Sequence, residues 1–512
     1  MLCRKLSTDS ADMRVPLRGY ERMFSMAEGV SFKIVHVLTI RGGEGAISAF
    51  LQHLPQALVL TFNRHPRMRA LQLKSEFAMA EVQSRITLDT VTEKKLLEIR
   101  EVTGRDGEEG TESWEQYAED QWHIPFDRYT ELPFYLRVWQ YSGQGLARVL
   151  LFCDHYMSDG ISGMVIMNDL VTLASELSRK EHDNQAYDQL VNGQRELPLR
   201  SSLSDLWLRP EPIKNFIKHR TVWLLGWHIL SHVASVFRPV IPVRADQHDL
   251  SIPIKANSSS ALFGLGTVVN LNKTLERCRA EGVTFFCALT AAVALSFYIA
   301  SDDEKRKASL FKLTLELPFD MRRRVALPMP EVQVGTYTAT SALESFAQEG
   351  VAMDTVLFWD LARKSKKELE ELMRSVMVSM PFLFLDNHMT SNAKPSFFDG
   401  LRLPHSITAD VDVSNIGKYG YETSHAFQTA TKQLEDLKIN SIHVNNSVPQ
   451  IGSASAIYVT STDKLSYGFM HKYEDAKGKQ LFAAMVASIE RIGDIGGHET
   501  MLDVVNAVQK SL

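Results

Sequence analysis

The feature that most constrains the fold is a change of hydrophobic period at Gly160. Before it, residues 132–142 and 147–155 predict two strands joined by a turn that contains Gly143 and Gly145. After it, apolar residues recur at helical spacing, at Ile161, Met164, Val165, Leu170, Ala174 and Leu177. A buried strand therefore leads almost directly into a helix. The short connection presents one imidazole and two carboxylates, from His155, Asp154 and Asp159.

Length and composition indicate a globular protein with more than one domain or subdomain. The chain has 512 residues, of which 45% are hydrophobic and 23% are charged. The net charge is −5 with both signs interspersed, so no nucleic-acid partner is expected. No apolar core of signal-peptide length occurs near the start, and we expect a cytoplasmic protein. The cysteines lack metal-ligand spacing and indicate buried thiols in a reducing compartment: Cys3, Cys153, Cys278 and Cys287.

The second half mixes helices and strands in a similar way. Residues 273–300 predict two helices separated by Gly282, with Thr284 as the N-cap of the second helix. Other patterns predict strands at 310–320, 408–419 and within 455–473, and helices at 361–377 and 479–492. Because strict βαβ alternation is absent, the sequence predicts an α/β (α+β) protein with mixed sheets. We place the subdomains at 1–200 and 256–512, with a crossover segment at 201–255.

The most apolar stretch of the sequence, 221–237, lies in this crossover segment. It is shorter than the ~20 residues of a membrane-spanning helix, and it predicts a buried or interfacial helix. Peripheral contact with an internal membrane therefore stays open. His228 and His232 within it are four residues apart, but no third ligand is evident nearby, so we expect no metal site.

His155 admits two explanations. A histidine at the end of a strand is most often a satisfied polar residue without a catalytic role. However, the buried strand fixes its backbone and Gly160 permits a tight turn into the helix. Asp159 can hold the connection through an ion pair with an arginine. An isolated imidazole in that setting suits general-base catalysis near neutral pH.

Residues 155–160 match the pattern HxxxDG, which resembles the motif of the CoA-dependent acyltransferase superfamily. That superfamily includes plant BAHD acyltransferases, condensation domains of peptide synthetases and alcohol acetyltransferases. Further segments resemble alcohol O-acetyltransferase-like members in the same order along the chain: 18–21 (a G–E opening), 57–70 (a helix ending in RHPxLR), 124–138 (the segment before the motif strand), 283–295 (GVTxxxxLxAA), 313–324 (a strand ending in arginine) and 412–417 (SNxG).

The resemblance implies two chloramphenicol-acetyltransferase-like subdomains, each a mixed sheet flanked by helices, with the active site in a tunnel between them. It implies transfer of an acyl group, such as acetyl, from acyl-CoA to a hydroxylated small-molecule or lipid acceptor. His155 would be the general base, and Asp159 and Gly160 would shape the site. Acyl-CoA is a cosubstrate and no cofactor is implied. Asp159 would pair with Arg322 or Arg324, while Ser414, Asn415 and Gly417 would stabilise the oxyanion or lie at the subdomain seam.

Two positions depart from the family pattern. Many relatives have two consecutive histidines, but residue 154 is aspartate, which could accept a hydrogen bond near the site or point away from it. The DFGWG motif of the plant branch is absent.

Two other functions stay open from the sequence. One is a free-standing condensation-type enzyme that forms an ester or amide from carrier-bound acyl groups, and the other is a silent binding relative. A monomer with two subdomains would suffice for any of the three.

Overall fold

The structure, a computed structural model, describes residues 13–26, 30–104, 107–108, 112–180, 184–208, 237–247, 259–325, 332–374, 407–448 and 452–512. Residues 221–236 of the apolar stretch, with His228 and His232, lie outside the described residues, as does Cys3.

Within these residues, strands and helices alternate irregularly along the chain. The strands are β1 (Arg14–Pro16), β2 (Lys33–Gly42), β3 (Ala70–Gln72), β4 (Met79–Val82), β5 (Leu97–Val102), β6 (Phe134–Tyr141), β7 (Leu146–Asp154), β8 (Ser260–Leu265), β9 (Leu315–Asp320), β10 (Thr338–Ala342), β11 (Ile407–Ala409), β12 (Val411–Lys418), β13 (Ser424–Gln428), β14 (Leu434–Asn446), β15 (Gly452–Ser453), β16 (Ser455–Ser461) and β17 (Leu465–His471). The α-helices are α1 (Tyr20–Met26), α2 (Glu44–Arg64), α3 (Leu88–Glu93), α4 (Trp114–Trp122), α5 (Gly160–Lys180), α6 (Asn184–Gly193), α7 (Leu203–Leu208), α8 (Val268–Ala280), α9 (Phe285–Ala300), α10 (Asp303–Arg306), α11 (Phe358–Arg374), α12 (Asp475–Glu490) and α13 (Met501–Gln509).

Two six-stranded mixed sheets organise the molecule. The N-terminal sheet has the order β13-β14-β2-β7-β6-β5, and only its β5–β6 pair is parallel. The C-terminal sheet has the order β10-β9-β12-β16-β17-β8, with parallel pairs β9–β12 and β12–β16. Each sheet has its own apolar core. The predicted α/β class with two mixed sheets flanked by helices is confirmed.

Strand β14 connects the two sheets in an unexpected way. It comes from the last third of the chain, yet it pairs with β2 inside the N-terminal sheet. Its polar residues bond to the C-terminal sheet: the ring of His443 bonds the carbonyl of Gly264 at 3.0 Å, and Asn445 donates to the carbonyl of Phe469 at 3.3 Å. The predicted boundaries at 200 and 255 stay predictions, and the sheets show that residues 424–446 complete the first sheet.

Most of the predicted elements are present. The turn at Gly282 has a positive φ of 67°, and the Thr284 side chain accepts a hydrogen bond from the Cys287 amide, as predicted for the start of α9. Pro55 lies inside α2, which continues through it as a single helix. The predicted strand at 310–320 begins later, at Leu315.

Helix α9 is buried along almost its whole length, in the core of the second half. In the described part of the chain, no single helix has the length and hydropathy needed to cross a membrane. Helices α8 and α9 reach those values only when taken together, across a bend of 109°.

Candidate active site

His155 lies just beyond the end of β7, with its backbone fixed on one side by the sheet. Its amide donates to the carbonyl of Phe32, at the entrance to the neighbouring strand β2. Its ring Nδ1 lies 2.9 Å from the carbonyl oxygen of Ser158. A carbonyl can only accept, so Nδ1 carries the proton and, in the neutral ring, Nε2 is left as the acceptor. This tautomer is the one that allows Nε2 to act as a general base, because its lone pair is free to accept a proton.

The surroundings of the ring favour its neutral form. Phe24 of helix α1 stacks on it, with ring centroids 4.1 Å apart and an angle of 18° between the planes. Burial lowers the pKa of His155 below its ordinary value, because the charged imidazolium loses its hydration. The imidazole is therefore mostly unprotonated at neutral pH and ready to accept a proton.

Asp159 forms a two-pronged ion pair with Arg322. The two guanidinium nitrogens Nη1 and Nη2 lie 3.0 and 2.9 Å from its carboxylate oxygens, and both side chains are completely buried. Burial alone would raise the pKa of Asp159, but the Arg322 guanidinium holds it below its ordinary value. The pair joins the motif in the first half of the chain to the end of β9 in the second half.

Backbone and hydroxyl groups complete the environment of this carboxylate. It accepts hydrogen bonds from the Tyr337 amide at 2.9 Å and from both the amide and the hydroxyl of Ser162 at 2.8 Å. The hydroxyl of Thr336 donates to the carbonyl of His155. The loop that carries His155 is thus held by a segment of the other half, which fixes the imidazole relative to the seam.

Of the two arginines predicted as partners of Asp159, the structure places only Arg322 there. Arg324 lies in the exposed turn after β9, and its backbone amide bonds the Met321 carbonyl. The guanidinium of Arg322 is buried, and further hydrogen bonds to the carbonyl of Gln333 and the carboxylate of Asp320 compensate for its loss of hydration. The assignment of Arg324 as a partner is therefore wrong.

The residue before the motif histidine has a structural partner of its own. Asp154 is buried and accepts hydrogen bonds from Arg128, at 2.7 Å from Nε and 3.4 Å from Nη2. The carboxylate therefore neutralises a buried arginine and does not line the cavity that His155 faces. Sequence reasoning missed Arg128, which lies within the segment 124–138 that precedes the motif strand.

Two further sequence motifs are explained by one ion pair. Glu21, from the G–E opening, accepts a hydrogen bond of 2.7 Å from Arg67, from the RHPxLR-like segment, and both side chains are buried. Next to Glu21, the hydroxyl of Tyr20 lies 2.7 Å from that of Thr340 on β10. These bonds fix helix α1 over the seam, which is why Phe24 reaches His155. Both motifs are recognisable in the sequence, but the sequence alone does not show that Glu21 and Arg67 form a pair.

His155 faces a cavity of about 260 Å³ between the two sheets. Ser414, Asn415 and Ile416 of β12 line it, and so does Gly160. A Cβ added at Gly160 would lie 2.9 Å from Ile416, so the glycine allows the motif and β12 to approach closely. Gly417 follows at an irregularity in the β12–β16 pairing with a φ of 99°, and it is not among the lining residues.

A sequence model of the alcohol acetyltransferase family matches residues 108–436, which include the motif histidine, Arg322 and β12. The chain belongs to the alcohol acetyltransferase family. The predicted superfamily and its acyltransferase character are therefore confirmed, and the family implies an acyl donor and an alcohol acceptor. A search of curated protein sequences found no significant match.

Solved structures of this two-lobed fold include acyltransferases and condensation domains. The family member described here is similar to the trichothecene 15-O-acetyltransferase TRI3 of Fusarium sporotrichioides, with 13% identity, a TM-score of 0.68, and 95% and 97% of the two chains covered. It is also similar to the first condensation domain of the calcium-dependent antibiotic synthetase, with 12% identity, a TM-score of 0.61, and 97% and 99% covered. At such low identity these likenesses show the shared fold.

The family member has no metal-ligand cluster among its described residues, where no three His, Cys, Asp or Glu side chains are arranged to hold an ion. Cys153, Cys278 and Cys287 are buried free thiols. Burial raises the pKa of Cys153, which keeps its sulfur protonated and unreactive.

Proposed function

We propose that the protein transfers an acyl group from acyl-CoA to the hydroxyl of an alcohol acceptor, with His155 as the general base. The observation that carries this proposal is the state of the imidazole. Its Nδ1–H group donates a hydrogen bond to the Ser158 carbonyl, and the ring lines a cavity between the two halves. The Nε2 lone pair is therefore the one available for chemistry.

In the proposed reaction, Nε2 of His155 removes the proton of the acceptor hydroxyl as its oxygen attacks the thioester carbonyl. The tetrahedral intermediate then collapses, the carbon–sulfur bond breaks, and the imidazolium returns the proton to the departing CoA thiolate. The products are an ester and CoA with a free thiol, so atoms and protons balance. The Ser414 hydroxyl and the Asn415 amide line the same cavity and are candidates to donate to the oxyanion.

Asp159 and Arg322 act in this proposal as positioning residues. Neither needs to contact the reacting atoms, because the ion pair and the Thr336 bond set the geometry of the loop that carries His155. Displacement of the imidazole would lower the catalytic rate strongly, because proton transfer requires the ring to lie within hydrogen-bond distance of the substrate.

The test is a thiol-release assay with purified protein. Acetyl-CoA and longer acyl-CoAs are each offered with a panel of alcohols, and free CoA thiol is measured by a chromogenic reagent while the ester is identified by mass spectrometry. The His155→Ala variant should lose roughly 10²–10⁴-fold in rate. The matched control is His498→Ala, which removes an exposed histidine away from the cavity and should leave the rate unchanged.

Turnover that persists in His155→Ala, with the melting temperature unchanged, would sink the general-base assignment. Product formation with carrier-protein thioesters but not with acyl-CoA would instead assign the protein to the condensation-type reaction. Failure of every acyl donor, together with tight binding of an acceptor, would favour a silent binding relative.

A further inference from the structure

The cavity that holds His155 has a second polar group that the proposed reaction does not use. Glu316 of β9 and Asp412 of β12 face each other across a parallel strand pair, as direct register partners, and both line the cavity. Their register places the two carboxyl groups next to each other in the cavity wall. Two neighbouring carboxylates removed from water repel each other strongly unless one of them carries a proton.

The electrostatics of the pair agree with a shared proton. Burial raises the pKa of Glu316, and burial together with the facing Glu316 raises the pKa of Asp412 well above its ordinary value. The remaining single negative charge interacts with a buried lysine, Lys472. Burial lowers the pKa of Lys472 to about 7, although the attraction of Asp412 partly opposes this effect.

One atom of the pair is left unsatisfied by the protein. Oδ1 of Asp412 is buried and has no hydrogen-bond partner within the described residues. A buried acceptor without a donor is costly, on the order of 1–3 kcal/mol, and such groups are rare in folded proteins. Because Asp412 lines the cavity beside the substrate, a bound ligand with an O–H or N–H group would satisfy this oxygen.

The pair lies well away from the reacting centre. On β12, Ile416 contacts Gly160 of the motif, and Asp412 is four residues earlier, about 13 Å along the strand. The cavity wall is largely apolar and includes Met23, Phe24, Phe32, Ile34, Ile161 and Phe319, while Ser414 is a polar lining residue between Asp412 and Ile416 on β12. A ligand that spans the cavity therefore needs an apolar middle and a polar far end.

We propose that the Glu316–Asp412 pair binds a second hydroxyl of the alcohol acceptor, at the end remote from the hydroxyl that is acylated. This inference rests on the proposed function and adds the acceptor class, an apolar alcohol with a distal hydroxyl. The acceptor is favoured over the acyl group because acetyl, the group that names the family, is too short to span the distance. A hydroxyl is favoured over an ammonium group because the buried amine of Lys472 already interacts electrostatically with Asp412.

The test compares α,ω-diols of increasing chain length with mono-alcohols of equal length, using acetyl-CoA and thiol release. At one optimal length, the wild-type kcat/KM for the diol should exceed that of the mono-alcohol roughly tenfold after division by two for its two equivalent hydroxyls. The Asp412→Leu variant cannot accept a hydrogen bond at residue 412 and should reduce this ratio to about one. The reduction should come mainly from a lower kcat/KM for the diol. Glu316→Gln should lower the ratio partly. Loss of activity with both alcohols alike would indicate a structural role and overturn the inference.

The matched control is Thr338→Val, which removes a polar group from the same cavity wall without touching the pair and should keep the diol preference.

Binding is measured separately, as the rise in melting temperature with each diol and mono-alcohol, so that the inference can fail independently of turnover. If thiol is released but wild type shows equal kcat/KM and equal binding, the distal-hydroxyl site is refuted and the acyltransferase function stands. If no acyl-CoA is turned over but diols still stabilise wild type and not Asp412→Leu, the proposed function fails and the site stands. Preference for a hydroxylated acyl-CoA over a hydroxylated acceptor would overturn the assignment to the acceptor.

Discussion

Replacing Asp159 with asparagine tests whether the ion pair at the seam holds the two halves together. The substitution keeps the shape of the side chain but removes its charge, and it leaves the Arg322 guanidinium buried without its main counter-ion. Five hydrogen bonds to the carboxylate are affected, two from Arg322, two from Ser162 and one from the Tyr337 amide. Breaking one side of a fully buried pair typically costs about 3–5 kcal/mol in the free energy of unfolding.

A second carboxylate on the same guanidinium provides the control. Asp320 bonds Nη1 of Arg322 at 2.8 Å, but its side chain is 33% exposed to solvent. Asp320→Asn should therefore cost only about 0–1 kcal/mol, the range of solvent-exposed pairs. Because both substitutions remove a negative charge from the same arginine, the difference between them measures what burial and the additional hydrogen bonds of Asp159 contribute.

The assay is urea unfolding at several pH values, followed by tryptophan fluorescence and circular dichroism. Asp159 has a lowered pKa in the folded protein, so its contribution is complete above the ordinary value near 3.9 and is lost as the pH falls below it. The deficit of Asp159→Asn should thus be constant from about pH 5 to pH 8 and shrink in more acidic solution. A deficit below about 1 kcal/mol at neutral pH, or one equal to that of Asp320→Asn, would refute the reasoning.

Three other substitutions have defined outcomes. Phe24→Ala admits water to His155, so the acidic limb of the kcat/KM profile should shift to higher pH, toward the ordinary value of about 6.5; an unchanged limb would contradict the role of stacking and burial. Asp154→Asn should lower stability by about 3–5 kcal/mol because it removes the carboxylate that neutralises buried Arg128, while the folded enzyme keeps its specific activity, as checked by melting and thiol release. Gly468→Ala should cost about 1–3 kcal/mol, measured by urea unfolding, because the new Cβ would lie 2.1 Å from a carbonyl oxygen of β14.

The centre of the site could be predicted from the sequence because its parts are close together in the chain. His155, Asp159 and Gly160 lie between an apolar strand and an amphipathic helix, and the change of period locates them. The resemblance narrowed the arginine that pairs with Asp159 to Arg322 or Arg324, which follow a predicted strand. Choosing it over Arg324 required knowing which guanidinium is buried, and that depends on contacts 163 residues away in sequence.

Other parts could not be predicted because their pattern depends on a partner. Strand β14 contains buried polar residues, including His443 and Asn445, which hydrogen-bond to carbonyl groups of the other sheet. It therefore lacks the apolar run of an ordinary central strand. The pairing of Glu316 with Asp412 likewise arises from strand register between distant segments. The spacing of residues along the sequence does not predict hydrogen-bond partners or strand neighbours that are distant in the chain.

The position of β14 also affects how the chain folds during its synthesis on the ribosome. Strand β2 is made early, but its neighbour is made late: the Lys33 amide bonds the Ser447 hydroxyl across 414 residues. At typical rates of about 5–20 residues per second, the ribosome needs roughly 20–80 s to supply the missing strand. Meanwhile the nascent N-terminal half exposes an apolar open edge on which other chains can pair. We expect fragments that stop before residue 434 to require chaperones or to aggregate, and a separately added C-terminal fragment to restore solubility.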